Sequence, residues 1–386
     1  MLPAIDVLLW DPMNSVVLFG VGGVGSLIAR SLAGMPVISD LWLIASNERR
    51  LEDECMNVRI AAESAGHARI RVHTVALDLF DQARTADVLA RSKAGVIINT
   101  ATMRSWFALA TALPAKVWQP IYRASRFGPW LPINLAPAIS IMQARRAALP
   151  DAAVVNVAFP DGVNPVLAKV GLAPTIGAGN SEIIAAVLRI AAAQVLDSHV
   201  EEIETSLVAH HFHLANLDDD VAWNERAFWY RIRHRGEDMT EFLNSRGFRQ
   251  VVRRLCPHRS SVPAAVTAVR NTRRLFGEDA GAVVHCSAPH GLPGGFDVRF
   301  EGGRPTVAMP QGMTMDRAGG VLHAAMQGEG IDAILGDGSV RMGAGESEVM
   351  RRQFGYDCPV LKFDETLARG RELLARFDER VAAQRG

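Results

Sequence analysis

The stretch Val16-Val17-Leu18-Phe19-Gly20-Val21-Gly22-Gly23-Val24-Gly25-Ser26-Leu27-Ile28-Ala29 decides the fold. Its apolar front reads as a short strand buried on both faces. Gly20, Gly22 and Gly25 then form G-x-G-x-x-G, and residues 26–33 continue as a helical stretch stopped by Gly34. In such a unit the first glycine permits the tight turn and the second lets the backbone approach a pyrophosphate. The third allows close helix–strand packing, and the helix N-terminus offers N–H donors to the phosphate. Gly20, Gly22, Gly23, Val24 and Gly25 are therefore expected to cradle a dinucleotide. Glycines used only for a turn are the competing reading.

Working outward, residues 41–44, 70–77 and 95–100 read as strands, and residues 50–65 and 85–92 as helices. Strands alternating with helices imply a doubly wound parallel sheet of Rossmann type. The acid that holds the ribose of NAD is expected about 20 residues after the last glycine. That count lands on Ala45, followed by Ser46-Asn47-Glu48-Arg49-Arg50. Ser46, Arg49 and Arg50 suit a 2′-phosphate through charge-assisted hydrogen bonds, which favours NADP. NAD stays open, with Glu48 on the ribose. Thr100 and Ala101, where the fourth strand ends, are expected beside the cofactor.

Between residues 101 and 137, Pro114, Pro120, Pro129, Pro132 and Pro137 are interleaved with Trp106, Trp118 and Trp130. This reads as a long loop, and loops of that length are usually functional. Residues 138–148 then form a helix and 152–157 a strand. Beyond about residue 164 come a helix at 181–196, a strand at 201–208 and a polar, aromatic-rich stretch to about His258. A helix at 263–276, Gly-punctuated strands near 283–286, 296–300 and 306–309, and a closing helix at 366–383 suggest an α+β region with an antiparallel sheet. The expected domains are residues 1–165, dinucleotide-binding, and 166–386, substrate-binding and catalytic.

Composition excludes several classes. Forty-one basic against 41 acidic residues give no net charge, which argues against nucleic acid and against a polybasic membrane anchor. The apolar helix at 183–196 is interrupted by Arg189 and too short to span a bilayer. Residues 1–6 lack a basic n-region and an apolar h-region, so no secretory signal is expected. Cys55, Cys256, Cys286 and Cys358 are dispersed, giving neither a zinc-finger spacing nor a disulfide scaffold. A cytoplasmic protein acting on a small molecule is expected.

With these blocks in order, the sequence resembles the lactate/malate dehydrogenase superfamily, which also includes NAD-dependent family 4 glycosidases. The resemblance is carried by Ile97-Ile98-Asn99-Thr100-Ala101, Asn134-Leu135-Ala136-Pro137-Ala138, residues 154–161 ending in Phe159-Pro160-Asp161, Gly171 to Gly179, and Ser206-Leu207-Val208-Ala209-His210-His211. It implies a Rossmann domain followed by an α+β domain, hydride transfer with NAD or NADP, and a homo-oligomer. His210, or His211 after a one-residue slip, stands where that family carries its catalytic His. Arg123 and Arg126 lie near where it carries a substrate-binding Arg on a mobile lid. The departures are chemical. Where the family's helix supplies an orienting Asp and a carboxylate-binding Arg, this chain has Ile183-Ile184-Ala185-Ala186, and Phe159 replaces a substrate-binding Asn. The metal-binding Cys of the glycosidases falls near Asn180, which makes that activity the remoter alternative.

An imidazole titrates near neutrality and so supplies the proton that a hydride acceptor needs. Glu182 or Asn180 is the expected orienting partner of the His. On a strand, His211 and His213 face one way and His210 the other; a buried core His and a metal trio are the competing readings. No metal is expected. The sequence thus reads as an NAD(P)-dependent oxidoreductase acting on a C=O or C=N carbon of a small polar metabolite. A dinucleotide sensor without turnover is the alternative.

Overall fold

In a computed structural model describing residues 14–256 and 260–385, the apolar runs become parallel strands. These are β1 (Ser15–Phe19), β2 (Asp40–Ala45), β3 (Arg71–Ala76), β4 (Val96–Asn99), β5 (Ala153–Asn156) and β6 (Ile176–Gly177). Residues 1–6, read as lacking a signal, and His258, read as ending the polar stretch, lie outside the described residues. Strand order is β3-β2-β1-β4-β5-β6, every neighbour parallel. The chain winds outward from β1 to β3, then returns to continue from β4 to β6. The topological switch point therefore lies between β1 and β4, where ligands of such sheets bind beyond the strands' carboxyl ends.

The helices of this half are α1 (Gly23–Ala33), α2 (Glu48–Ser64), α3 (Gln82–Ser92), α4 (Trp106–Ala112), α5 (Ala115–Ser125), α6 (Pro132–Ala148), α7 (Pro160–Lys169) and α8 (Ser181–Leu196). Then follow β7 (Ile203–Val208), α9 (His211–Ala215), β8 (Trp229–His234), β9 (Glu237–Asp238), α10 (Thr240–Ser245), α11 (Phe248–Leu255) and α12 (Val262–Leu275). The antiparallel sheet β10 (Val283–Ser287), β11 (Gly295–Glu301), β12 (Arg304–Val307) comes next. The chain closes with α13 (Met315–Gly328), β13 (Ile331–Ile334), β14 (Val340–Met342), α14 (Ala344–Phe354), β15 (Val360–Leu361) and α15 (Thr366–Arg385). A parallel Rossmann-type sheet is thus followed by an α+β region.

Strand periodicity sorts the core. Val16 and Leu18 join Ile28 and Leu32 of α1, Val58 of α2 and Ala268 of α12 on one face. Val17 and Phe19 join Leu89 of α3 and Ile141 of α6 on the other. Alternate residues of one strand point to opposite faces, so β1 is apolar throughout because both faces are covered.

Residues 101–137 are not a loop. They fold into α4, α5, a short 3₁₀ turn at Gly128–Trp130 and the start of α6. Pro114 precedes α5, while Pro129 and Pro132 occupy first-turn positions where the missing N–H leaves nothing unpaired. Trp118 and Trp130 are buried and pack edge-on against each other and Phe377 of α15. They form part of the core that ties α14 and α15 to the sheet's helices. No helix among the described residues is long and apolar enough to cross a membrane.

Candidate active site

The three glycines of the first turn meet three different surroundings. Gly20 has φ +90°, which side chains avoid, and Thr100 Oγ1 donates to its carbonyl at 2.7 Å. A Cβ on Gly25 would run into the Gly20 carbonyl oxygen, so α1 packs on β1 only because that atom is missing. A Cβ on Gly22 would meet nothing within 4 Å. Gly22 is the N-cap of α1 and offers no side-chain cap to the helix's first N–H groups. Ala101 N–H donates to Asn99 Oδ1, and Asn99 Nδ2 to Asn156 Oδ1, which locks the ends of β4 and β5 together. Ser46, Arg49 and Arg50 stand exposed where β2 passes into α2, with Asn47 capping that helix.

The histidine cluster departs from strand geometry. β7 stops at Val208, and His210 caps α9: its Nδ1 accepts from Phe212 N–H at 3.1 Å, while its own N–H donates to His213 Nδ1 at 2.9 Å. His213 Nε2 donates to the Arg226 carbonyl. Both rings are fully buried, and burial lowers their pKa values, that of His213 to about 3. They are neutral capping groups. His211 differs. Its Nδ1 donates to Glu329 Oε1 at 2.5 Å, and its backbone N–H to Asp161 Oδ2 at 2.6 Å. Phe127 and Phe159 pack on its ring, with centroids 5.1 and 5.2 Å away. Burial opposes its charged form, but the Glu329 carboxylate, its hydrogen bond and Asp161 together raise its pKa above the ordinary value. Asp161 itself is pushed up to about 7 by burial, against the pull of His211. Asp161 Oδ1, Asn180 Nδ2 and His210 Nε2 are buried and meet no hydrogen-bond partner among the described residues.

Glu182 orients neither histidine. It accepts from Asn271 in a different cavity, facing α12, because its place on α8 turns it away from α9. Glu329, which sequence reasoning missed, takes that place from 118 residues further along the chain. The Gly128 N–H donates to the Glu329 carbonyl at 2.7 Å, an approach that a Cβ on Gly128 would block. No local pattern marks Glu329. Asp161 carried a usable signal: an acid in the first turn of a helix that directly follows a parallel strand.

Glu329 lines a cavity of about 570 Å³ together with Tyr122 and Arg123 of α5, Arg126 just beyond it, Phe212 of α9, and Asp218 and Asp219. Arg123 and Arg126 therefore belong to a helix end, not to a lid. Arg126 holds φ 58°, ψ −167°, a conformation almost confined to glycine, while its N–H closes α5 on the Tyr122 carbonyl. Arg123 and Arg126 thus share a cavity with Glu329, whose carboxylate accepts from His211. The structure sets Glu182 apart and leaves His210 as a cap. Among the described residues no group of three or more His, Cys, Asp or Glu side chains is arranged to hold a metal.

No protein-family model matches the sequence, and no curated protein matches it. Solved structures do. A malate dehydrogenase from Plasmodium falciparum in complex with NADH superposes with a TM-score of 0.58 at 11% identity, over 81% of this chain and 96% of that one. A malate dehydrogenase from Picrophilus torridus gives 0.56 at 14%, over 81% and 95%. The lactate dehydrogenase from Cryptosporidium parvum, complexed with lactic acid and nicotinamide adenine dinucleotide, gives 0.55 at 13%, over the same shares. The chain has the lactate/malate dehydrogenase fold.

Proposed function

We propose that the chain is an NAD(P)-dependent oxidoreductase whose proton donor is His211, oriented by Glu329. The observation that carries the reading is this pair, docked through Asp161 on the segment that leaves β5, at the sheet edge from which the glycine loop also springs. The open position at Gly22, the uncapped start of α1 and the absence of bulk at Gly25 fit a dinucleotide pyrophosphate. Exposed Ser46, Arg49 and Arg50 would hold a 2′-phosphate, so NADP is the proposed form. A bound nicotinamide supplies or accepts the hydride. His211 Nε2, left free by the Nδ1–Glu329 bond, donates a proton to the substrate oxygen or nitrogen during reduction and recovers it in the reverse direction. Arg126 and Arg123 hold a carboxylate of the substrate bidentately. Phe127 and Phe159 keep water from the imidazole.

The test is cofactor oxidation with panels of 2-oxo acids, imines and sugars, run beside a dinucleotide titration. Turnover that disappears in His211→Ala, with dinucleotide affinity kept, supports the reading. Binding without turnover on every panel makes the chain a dinucleotide sensor. We further propose a functional division near residue 165 and self-association, which sedimentation equilibrium checks.

A further inference from the structure

A second cavity, of about 470 Å³, opens between α8, β7, α12 and the β10–β11 pair and shares no lining residue with the cavity that Glu329 lines. Its wall carries Arg274, whose side chain is 3% exposed. A guanidinium that deep calls for a counter-charge. Arg274 finds Asn271 Oδ1 at 3.2 Å and only a 3.4 Å contact to Asp279, a largely solvated residue. Two buried acids share the wall. Asp297 is committed to His285 Nδ1 at 3.3 Å and the Leu207 N–H at 3.4 Å. Glu182 is pushed by burial to about 8, against the pull of Arg274 and Asn271, so near neutrality it presents an O–H donor. His285 Nε2 is buried and has no hydrogen-bond partner among the described residues. At the mouth Arg270 has no hydrogen-bond partner among the described residues, while Arg189 gives Nε and one Nη to the Ile203 and Val200 carbonyls. Glu201 and Glu204 stand exposed at the rim, where water screens them.

The interior is therefore rich in donors and poor in free carboxylate, around a cation that is incompletely paired. We propose that this cavity binds a small oxyanion, a carboxylate or a phosphate, between Arg270 and Arg274. The anion completes the pairing of Arg274, and the Glu182 hydroxyl donates to it. Charge-assisted forks of this kind are the strong hydrogen bonds of proteins. The site stands whether or not the glycine loop holds a dinucleotide, since none of its residues belongs to that loop.

Isothermal titration of the full chain with inorganic phosphate and, separately, with succinate tests it. One probe is expected to bind saturably, and Arg270→Ala, a surface change that leaves packing intact, to weaken it at least about tenfold. Arg274→Lys, which keeps charge but loses the fork, is expected to do the same. Gly22→Asp, which closes the start of α1 to anions, is expected to leave it unchanged. The probe that binds identifies the oxyanion as phosphate or carboxylate. Absence of saturable binding by either probe up to about 20 mM overturns the proposal. So does binding that survives Arg270→Ala, or that Gly22→Asp abolishes, since the anion then sits elsewhere.

Discussion

Within a single turn between β1 and α1, the glycine loop gathers everything its geometry needs. The His211 site draws on α5, on Phe159 and Asp161 after β5, on the start of α9 and on Glu329 beyond α13. Both sit beyond the carboxyl ends of the same parallel strands. The first is a backbone device, in which missing side chains let carbonyls and N–H groups come close. The second is a side-chain device, in which charges from distant segments meet after the chain has folded. A backbone device tolerates no added atom where it is packed; a side-chain device tolerates most changes of shape but not of charge.

The largest expected effect tests the backbone device. Gly25→Val drives its Cβ into the Gly20 carbonyl and should cost about 2–4 kcal/mol in denaturant unfolding, as overpacked and strained positions do. Gly22→Ala adds a methyl where nothing stands within 4 Å, with φ −73° already acceptable. Its stability should stay within about 0.5 kcal/mol of the parent, while dinucleotide affinity falls roughly tenfold or more because the methyl occupies the phosphate's path. Parental affinity in Gly22→Ala would remove the cradle from the argument.

For the side-chain device, His211→Ala should lower turnover by about 10²–10⁴-fold, read at saturating substrate, with dinucleotide binding intact. Glu329→Gln keeps a hydrogen-bond acceptor but removes the charge that raises the His211 pKa. The high-pH limit of reduction should therefore move to lower pH, because the acid form of His211 is lost earlier. His213→Ala removes a helix cap and should cost about 1 kcal/mol of stability without moving that pH limit. An equal shift in both variants would show that packing, not charge, sets the limit.

How much of each region was legible follows from this contrast. The loop's glycines, β1 to β5 and α8 were readable because period, turn residues and motif are contiguous in sequence. The helices at residues 106–125 were not, because prolines and tryptophans read as a loop. In the structure Pro114, Pro129 and Pro132 stand at helix starts, Pro120 and Pro137 lie inside helices, and Trp118 and Trp130 form a core with Phe377, a partner far away in sequence. Arg123, Arg126 and the pair His210/His211 could be named as candidates from their chemistry, whereas Glu329 could not, since its place depends on Gly128 letting two backbones meet. Glu182 misled because an acid one turn from a glycine segment looks catalytic until the helix phase is known.

Smaller effects are expected at the exposed arginines after β2 and at the strained end of α5. Replacing Arg49 and Arg50 by Ala should weaken NADP(H) roughly 10- to 150-fold and NAD(H) little, the range expected for losing a charge-assisted contact of about 1.5–3 kcal/mol. Equal weakening of both cofactors would detach these arginines from the 2′-phosphate. Arg126→Gly relieves a backbone conformation that side chains disfavour, so it should raise stability by about 1 kcal/mol. It should also raise KM for carboxylate-bearing substrates about tenfold or more. A variant that is more stable and equally active would make the strain at residue 126 purely structural.

A pH-dependent effect lies outside both regions, at Glu182. Its folded pKa, about 8, stands above the ordinary carboxylate value of 4.5 because burial penalises the ion more than Arg274 and Asn271 favour it. A group whose pKa rises on folding contributes stability that is complete below its unfolded pKa and is lost as pH rises through the folded one. The protein should therefore lose stability between about pH 4.5 and about pH 8 through this residue. Glu182→Gln keeps the shape and an amide able to accept from Asn271, yet has no proton to lose. Its Tm should match the parent near the acid end of that window and exceed it by a few degrees at the alkaline end. Parallel Tm curves for the two proteins across the window would mean that Glu182 is ionised in the fold and paired with Arg274, leaving that guanidinium no need of an outside anion.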